Sequence, residues 1–197
     1  MRFLLRLQNY GKYSAEDAQQ LSKEAYEKVR TLEADVGNLR VSSSAVELDL
    51  LLPDDSNLRG AITILERIIG QLLTLRELDV NAPPLDKTQA IELGLDLFNE
   101  ERYWESHEAF EMAWGTTVGS EKEILHALIL IAAALVHLQK NEPEISLSIM
   151  KRASAILTET HGRYCGIELA RVQADVRFMV LRNTPQFFKI DRTCGDC

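Results

Sequence analysis

Residues 98–114 read FNEERYWESHEAFEMAW, and this stretch decides the fold of the second half of the chain. Tyr103, His107, Glu111 and Trp114 recur at steps of four, four and three residues, which places them one above another on a helix. Because the face they share is aromatic, we expect it to be the buried face. A polar pair such as His107 and Glu111 on a buried face must be satisfied by each other, by a neighbouring helix or by a metal.

The rest of the second half also has helical periodicity. Ser120 opens a capping box, Pro143 stands at a first helical position and Gly162 marks a helix end. The predicted helices cover residues 87–100, 102–114, 120–140, 143–160 and 167–181. The sequence therefore predicts an all-α helical bundle domain over residues 87–183, followed by a C-terminal tail over residues 184–197.

The first 80 residues alternate between strand and helix periods. The predicted elements are a strand at 3–7, a helix at 14–33, strands at 38–43 and 45–52, a helix at 58–70 and a strand at 71–80. This order is that of a ferredoxin-like βαββαβ domain, an antiparallel sheet with both helices on one face. We therefore expect an α+β domain over residues 1–80. Pro83 and Pro84 predict a stiff, proline-rich linker over residues 81–86.

Composition and charge are those of an ordinary globular protein. Hydrophobic residues make up 46% and charged residues 26% of the chain, close to the average for folded proteins. The net charge of -8 argues against a nucleic-acid partner, because phosphate contacts need clustered lysine and arginine. No apolar run is long enough to span a membrane, and the apolar start of the chain is too short for a signal peptide. We expect a soluble, cytoplasmic protein.

The end of the chain carries two features that suggest association. The chain has three cysteines, an odd number that argues against a disulfide framework, and Cys194 and Cys197 form a C-x-x-C pair that suits half a zinc site, a redox pair or an idle tail. The end of the chain also has much apolar surface that must be covered, in residues 178–181 and then in Phe187, Phe188 and Ile190. We predict a homodimer or a protein partner, with a tail folded back on its own domain as the alternative.

A metal site is one interpretation of the polar residues. Folding the chain back after residue 114 brings His126 near His107 and Glu111, and two imidazoles with one carboxylate suit zinc and leave a coordination position open for water. Glu108 would then act as a general base. His137 lies about 16 Å from His126 along the helix, so it is a supporting residue and not a ligand.

A hydrogen-bonded network without chemistry is the competing interpretation, and it is the one we favour. Glu111 would accept hydrogen bonds from histidine and from Tyr103 or Trp114 and stiffen the helix pair. No cofactor-binding motif, phosphate-binding glycine loop or serine nucleophile motif occurs. We therefore expect a non-enzymatic interaction or regulatory module. The alternative is a metal-dependent hydrolase that uses His107, Glu111 and His126.

The same stretch is similar in its small and aromatic spacing to tetratricopeptide hairpins, whose stacked units bind peptides. A faint internal repeat aligns Ser106 with Ser146 and Ala113 with Ala153, at an offset of about forty residues. With two imperfect units, we interpret the repeat as antiparallel helix packing, and a peptide-binding array remains the alternative.

Residues 98–114 also resemble the small helical proteins of the family called domain of unknown function 309. The resemblance rests on the pattern F-N-x-x-x-Y-W-E-x-H-E-x-x-E-x-x-W, followed by an alanine-rich helix ending at His137, and it covers about residues 85–160. It implies a compact helical bundle and no particular reaction. The family usually has Q-G-L-I-Q where this chain has HALIL, so His126 replaces a glutamine. A zinc site would then not be a family-wide property, and a hydrogen-bonded cluster gains weight.

Overall fold

The structure is a computed structural model that describes residues 1–78 and 85–193. The chain forms two compact units, Met1–Ala82 with Gln139–Asn141, and Pro83–Leu138 with Glu142–Cys197. The predicted linker prolines, Pro83 and Pro84, lie outside the described residues.

The N-terminal unit is a four-stranded antiparallel sheet with two helices, as predicted in outline. Its elements are β1 (Arg2–Gln8), α1 (Ala18–Val29), β2 (Asp35–Val41), β3 (Ala45–Leu51), α2 (Leu58–Ile68) and β4 (Leu72–Glu77). The strands lie in the order β2-β3-β1-β4, and each neighbouring pair is antiparallel. Short 3-10 turns at Ala15–Asp17 and Arg30–Leu32 flank α1.

One face of this sheet packs on the two helices. Val46, Leu48 and Leu50 of β3 share that face, as predicted, and are fully buried with Leu21 of α1 and Leu65 of α2. This alternation of apolar residues along β3 is what the period of a strand requires. It fixes the register, because a slip by one residue would turn all three side chains to the other face.

The other face of the same strand is charged and equally buried, which the alternation did not predict. Glu47 and Asp49 lie between the apolar positions of β3 and are almost fully buried. Arg40 of β2, fully buried, places its Nε 3.5 Å from a Glu47 oxygen and its Nη2 3.6 Å from an Asp49 oxygen. Buried charges are tolerated because they are paired.

The C-terminal unit is helical, which confirms the predicted helical region. It contains α3 (Lys87–Asn99), α4 (Tyr103–Trp114), α5 (Gly119–Gln139), α6 (Pro143–Leu157) and α7 (Leu169–Arg182). Helix α3 begins with Asp86, whose carboxylate accepts the Gln89 N–H at 2.9 Å. Helix α5 begins at Gly119, so Ser120 lies inside the helix and not at the predicted capping position. Within the described ranges no helix is long and apolar enough to cross a membrane.

A short hairpin between α6 and α7 is the one departure from the predicted all-helical pattern in the part of the unit that the structure describes. Its strands are β5 (Arg163–Tyr164) and β6 (Ile167–Glu168). Cys165 stands in the turn between them and is disulfide-bonded, although the odd cysteine count argued against a disulfide framework. Cys194 and Cys197, the predicted C-x-x-C pair, lie outside the described residues.

Candidate functional site

Helix α4 turns a different face to the core from the one predicted. Tyr103, Ser106, Phe110 and Ala113 form its fully buried stripe. Both stripes of the helix have helical spacing, and burial selects the one with the most apolar side chains because apolar surface is what leaves water favourably. Of the predicted buried stripe, only the first residue, Tyr103, is fully buried.

The predicted polar pair lies on the outer side of α4. The His107 Nδ1 and a Glu111 carboxylate oxygen are 3.6 Å apart, and their side chains are 30% and 56% exposed. Glu108, the predicted general base, is half-buried. The expectation that His107 and Glu111 are largely buried is therefore wrong, because the aromatic residues they share a stripe with do not set the orientation of the helix.

The remaining predicted residues have other neighbours. The ring of His126 lies 6.3 Å from the ring of Trp114, centre to centre. The Lys122 ammonium lies 4.2 Å from the centre of the Trp114 ring, a distance typical of a cation–π contact. His137 places its Nδ1 2.5 Å from a Glu142 carboxylate oxygen. The three histidines predicted to form or support the site therefore have separate neighbours: Glu111 for His107, Trp114 for His126 and Glu142 for His137.

These contacts do not assemble a metal centre. Across residues 1–78 and 85–193 there is no group of three or more His, Cys, Asp or Glu side chains placed to hold a metal ion. His107 and Glu111 supply two donors, and His126 lies against a tryptophan ring. The described residues thus do not fit zinc, and the metal-dependent hydrolase stays a prediction.

Two residues of the predicted hydrogen-bonded network, Tyr103 and Trp114, do not form the predicted bonds. The Tyr103 hydroxyl and the Trp114 Nε1 are buried and have no hydrogen-bond partner among the described residues. Burial raises the pKa of the Tyr103 phenol, and the negative charge of Glu101 raises that pKa further. Tyr103 is thus neutral at ordinary pH and acts in this structure through its ring.

The position of Glu111 gives a first prediction. Replacing Glu111 by alanine is expected to change the free energy of unfolding by less than about 0.5 kcal/mol, because an exposed side chain with one long ion-pair contact contributes little. Urea denaturation followed by tryptophan fluorescence measures this change. A loss above about 1 kcal/mol would instead place Glu111 in a stabilising network.

The end of α3, at the start of the 98–114 stretch, forms a surface that binds the C-terminal segment of the chain. The Asn99 side chain donates from Nδ2 to the Ile190 carbonyl at 2.9 Å and accepts the Ile190 N–H at its Oδ1, also at 2.9 Å. A single side-chain amide thus satisfies both backbone groups of one residue in the C-terminal segment. A neighbouring β-strand satisfies an extended chain in the same way.

Aromatic rings hold the same segment just before this hydrogen-bonded residue. The Phe188 ring meets Phe98 edge to face at 5.4 Å, and the Phe187 ring stacks on Tyr103 at 5.9 Å. Phe98 and Tyr103 are themselves in edge contact at 5.0 Å. Such pairs add about 0.5–1.5 kcal/mol beyond the burial of their area. The surface formed by Asp96, Phe98, Asn99 and Tyr103 is called the tail cradle below.

The tail leaves the cradle toward the hairpin. Arg192 forms an ion pair with Asp96 and pairs with Ile167 as an isolated antiparallel bridge. Ile190 is almost fully buried. Of the two arrangements considered for the apolar tail, residues 185–193 adopt the folded-back one. Phe187 nevertheless stays 39% exposed, as do Phe178 at 52% and Leu181 at 71%, and the homodimer stays a prediction.

A comparison with known families finds one match, which lies in the second half of the chain. Residues 91–149 match the model of the family described as Domain of unknown function (DUF309). The resemblance predicted for the second half of the chain is therefore confirmed. The matched range contains Asp96, Phe98, Asn99 and Tyr103 and ends before the tail that they hold. No curated protein matches the chain.

The tail cradle was not predicted from the sequence, because ionisable residues are the ones that indicate chemistry and the cradle consists largely of aromatic and amide side chains. Two signals pointed to it. Asn99 stands at a helix end, where a short polar side chain is free to bond to backbone groups. Phe187, Phe188 and Ile190 are apolar residues in a segment without helical periodicity, as expected for an extended chain that packs on a surface.

Proposed function

We propose that the helical unit is a non-enzymatic interaction module and that the tail cradle is its peptide-binding site. The observation that carries the proposal is the paired hydrogen bond between Asn99 and the backbone of Ile190. A side chain that bonds to both groups of a backbone unit recognises an extended chain whatever its side chain at that position. Extended peptides are recognised by the same main-chain pairing when they add to a sheet edge.

The contacts define the class of occupant. Phe98 and Tyr103 select two successive aromatic residues, and Asn99 binds the backbone of the residue two positions after the second one. Burial of the Ile190 side chain favours an aliphatic residue at that position. Asp96 favours a basic residue two positions further on. Full burial of the Ile190 side chain contributes about 1.5–3 kcal/mol. The partly exposed rings of Phe187 and Phe188 contribute less each, and the exposed ion pair contributes less than about 1 kcal/mol.

The tail of the chain, from which this pattern is taken, occupies the cradle in the structure. A tethered segment has an effective concentration near the millimolar range when its linker is short and flexible. A partner with the same pattern must displace the tail before it binds. The C-terminal segment thus blocks the proposed peptide-binding site. A partner binds only if its affinity is high enough to compete with the tethered tail.

The N-terminal unit does not indicate a function of its own. We infer a ferredoxin-like arrangement for it, which the strand order β2-β3-β1-β4 and the antiparallel pairing support. Such a fold serves many functions and assigns none by itself. The binding proposal rests on the helical unit alone.

Binding in trans tests the proposal. A chain that ends at Asn183 lacks the resident tail and is expected to bind a synthetic peptide with the sequence of residues 185–193. Replacing Asn99 by alanine is expected to weaken binding at least about tenfold, since two hydrogen bonds to a buried backbone contribute about 1–3 kcal/mol. Isothermal titration calorimetry measures the affinity, and circular dichroism shows that both shortened chains are folded.

Peptide variants supply the matched controls. Replacing the residue that corresponds to Phe188 by alanine is expected to abolish binding, because its ring contacts Phe98. Replacing the one that corresponds to the exposed Gln186 is expected to leave the affinity within about twofold. A folded chain ending at Asn183 that binds none of these peptides would refute the cradle as a binding site.

A further inference from the structure

The hairpin between α6 and α7 pairs with the tail beyond the tail cradle. Ile167 of β6 pairs with Tyr164 of β5 on one side and forms an antiparallel bridge with Arg192 of the tail on the other. Next to this bridge, the Thr193 N–H donates to the Gly166 carbonyl at 3.1 Å. The tail therefore lies along β6 as a third strand, in the order β5, β6 and tail.

The turn of the hairpin leaves room for the tail because its second residue is glycine. The φ angles of the two turn residues are both positive, 45° at Cys165 and 74° at Gly166, as a type I′ hairpin turn requires. A Cβ at Gly166 would lie 2.4 Å from the Thr193 carbonyl oxygen. A residue such as asparagine tolerates the positive φ, but its Cβ would push the tail away from β6.

Arg192 belongs to both surfaces that hold the tail. Its backbone forms the bridge to Ile167, while its guanidinium forms an ion pair with Asp96 of the tail cradle. At the next residue, the Arg163 Nη2 of β5 donates to the Thr193 Oγ1 at 3.4 Å. The cradle and the hairpin thus contact the tail one after the other, along residues 187–193.

We propose that the β5–β6 hairpin is a second part of the peptide-binding site, where a partner peptide adds to β6 as a third strand. This inference rests on the proposed function, because the hairpin continues the site that the cradle begins. The occupant is an extended peptide in which the basic residue that Asp96 favours is followed directly by a residue with a hydroxyl group. Main-chain bonds to a strand edge supply affinity, and side-chain contacts supply the preference for a sequence.

The contact between the tail and the hairpin is small enough to exchange. The bridge between Ile167 and Arg192 is isolated, and Thr193 is exposed. The side chains of the ion pair between Arg192 and Asp96 are 34% and 57% exposed. Because contacts of this kind open locally while the helices stay folded, the tail leaves β6 at times and a partner peptide takes its place.

Peptide binding to the full-length chain tests the proposal. Phe188→Ala weakens the resident tail and changes no residue of the cradle or the hairpin, so it serves as the parent chain. Amide hydrogen exchange at Ile190, whose N–H bonds to Asn99, shows that the tail has loosened. A synthetic peptide with the sequence of residues 185–193 is expected to bind this chain in a calorimetric titration. Dithiothreitol is present throughout, so that the disulfide of Cys165 does not affect the result.

Two glycines of the hairpin region give matched substitutions in this parent chain. Gly166→Asn is expected to weaken peptide binding at least about fivefold, because the new Cβ displaces the peptide from the Gly166 carbonyl. Gly162→Asn is expected to leave the affinity within about twofold. Gly162 also has a positive φ, 83°, but a Cβ there would meet no atom of the described residues within 4 Å. Circular dichroism shows that both variants are folded.

A modified peptide tests the same hydrogen bond without changing the protein. N-methylation at the position of Thr193 removes the N–H that donates to the Gly166 carbonyl. It is expected to weaken binding to the parent chain at least about threefold, the effect of losing one hydrogen bond.

The outcomes separate the hairpin from the cradle. If the peptide binds equally well despite Gly166→Asn and despite N-methylation, the hairpin is not part of the site and the cradle stands. Equal losses in the two glycine variants, with normal binding of the N-methylated peptide, would also overturn the pairing with β6. A parent chain that is folded, exchanges fast at Ile190 and binds no peptide would overturn both proposals.

Discussion

Replacing Phe98 by alanine is expected to lower the free energy of unfolding of the helical unit by about 3–5 kcal/mol. The Phe98 side chain is fully buried, and its ring is in edge contact with Tyr103 at 5.0 Å and with Phe188 at 5.4 Å. Truncation removes the transfer free energy of the ring and leaves a cavity between two helices and the tail. The two helices and the tail cannot all move in to fill this cavity, so most of its cost remains.

Fluorescence gives a selective measurement of this loss. Both tryptophans, Trp104 and Trp114, lie in the helical unit, so a urea titration followed by their emission reports on that unit and not on the sheet. Leu93→Ala is the matched control on the same helix, because Leu93 is 40% exposed, and it is expected to cost less than about 1 kcal/mol. Equal losses in the two variants would show that Phe98 is not a core residue.

The helices of the C-terminal unit were predictable because the sequence signals for them are local. These signals depend on residues within a few turns of one another. They are the apolar spacing, Pro143 at the first position of α6 and the end of α4 at Trp114. The choice between two stripes of α4 was not predictable in this way. It depends on what the neighbouring helices present to α4. Ser106 and Phe110 contact Gly94 of α3, while His107 and Glu111 of the other stripe are partly exposed.

The tail cradle could not be derived from spacing, because its parts are distant in sequence. Asn99 and Ile190 are 91 residues apart, and no periodicity relates the end of a helix to an extended segment so far away. The same holds for the charged face of the sheet. Alternation in β3 predicts that Glu47 faces water, whereas pairing with Arg40 keeps it buried.

The placement of the cradle depends on how closely α3 and α4 approach. Asn99 ends α3 and Tyr103 begins α4, so the spacing between the helices sets the distance between the two groups that hold the tail. Gly94 permits the approach. A Cβ at this position would lie 2.5 Å from a ring carbon of the fully buried Phe110. The Ser106 hydroxyl donates to the Gly94 carbonyl at 2.8 Å and closes the contact.

Gly94→Val is therefore expected to destabilise the helical unit by on the order of 3 kcal/mol and to loosen the tail as well. Overpacking a tight core costs about 1–3 kcal/mol, and stranding the buried Ser106 hydroxyl costs a similar amount. The ring of Phe110 cannot retreat, because the core surrounds it. The helices must separate, and Asn99 then moves relative to Tyr103.

Gly115→Ala is the matched control, because a Cβ there would approach no atom closer than 3.7 Å and the backbone is already right-handed helical. Its stability is expected to stay within about 1 kcal/mol of the parent chain. Urea denaturation followed by tryptophan emission measures both variants, and exchange at the Ile190 amide measures the cradle. If Gly94→Val lost stability while that amide kept its protection, the helix spacing would not be what positions the cradle. Loss of both in one variant would show that the contact of Gly94 with Phe110 positions the peptide site.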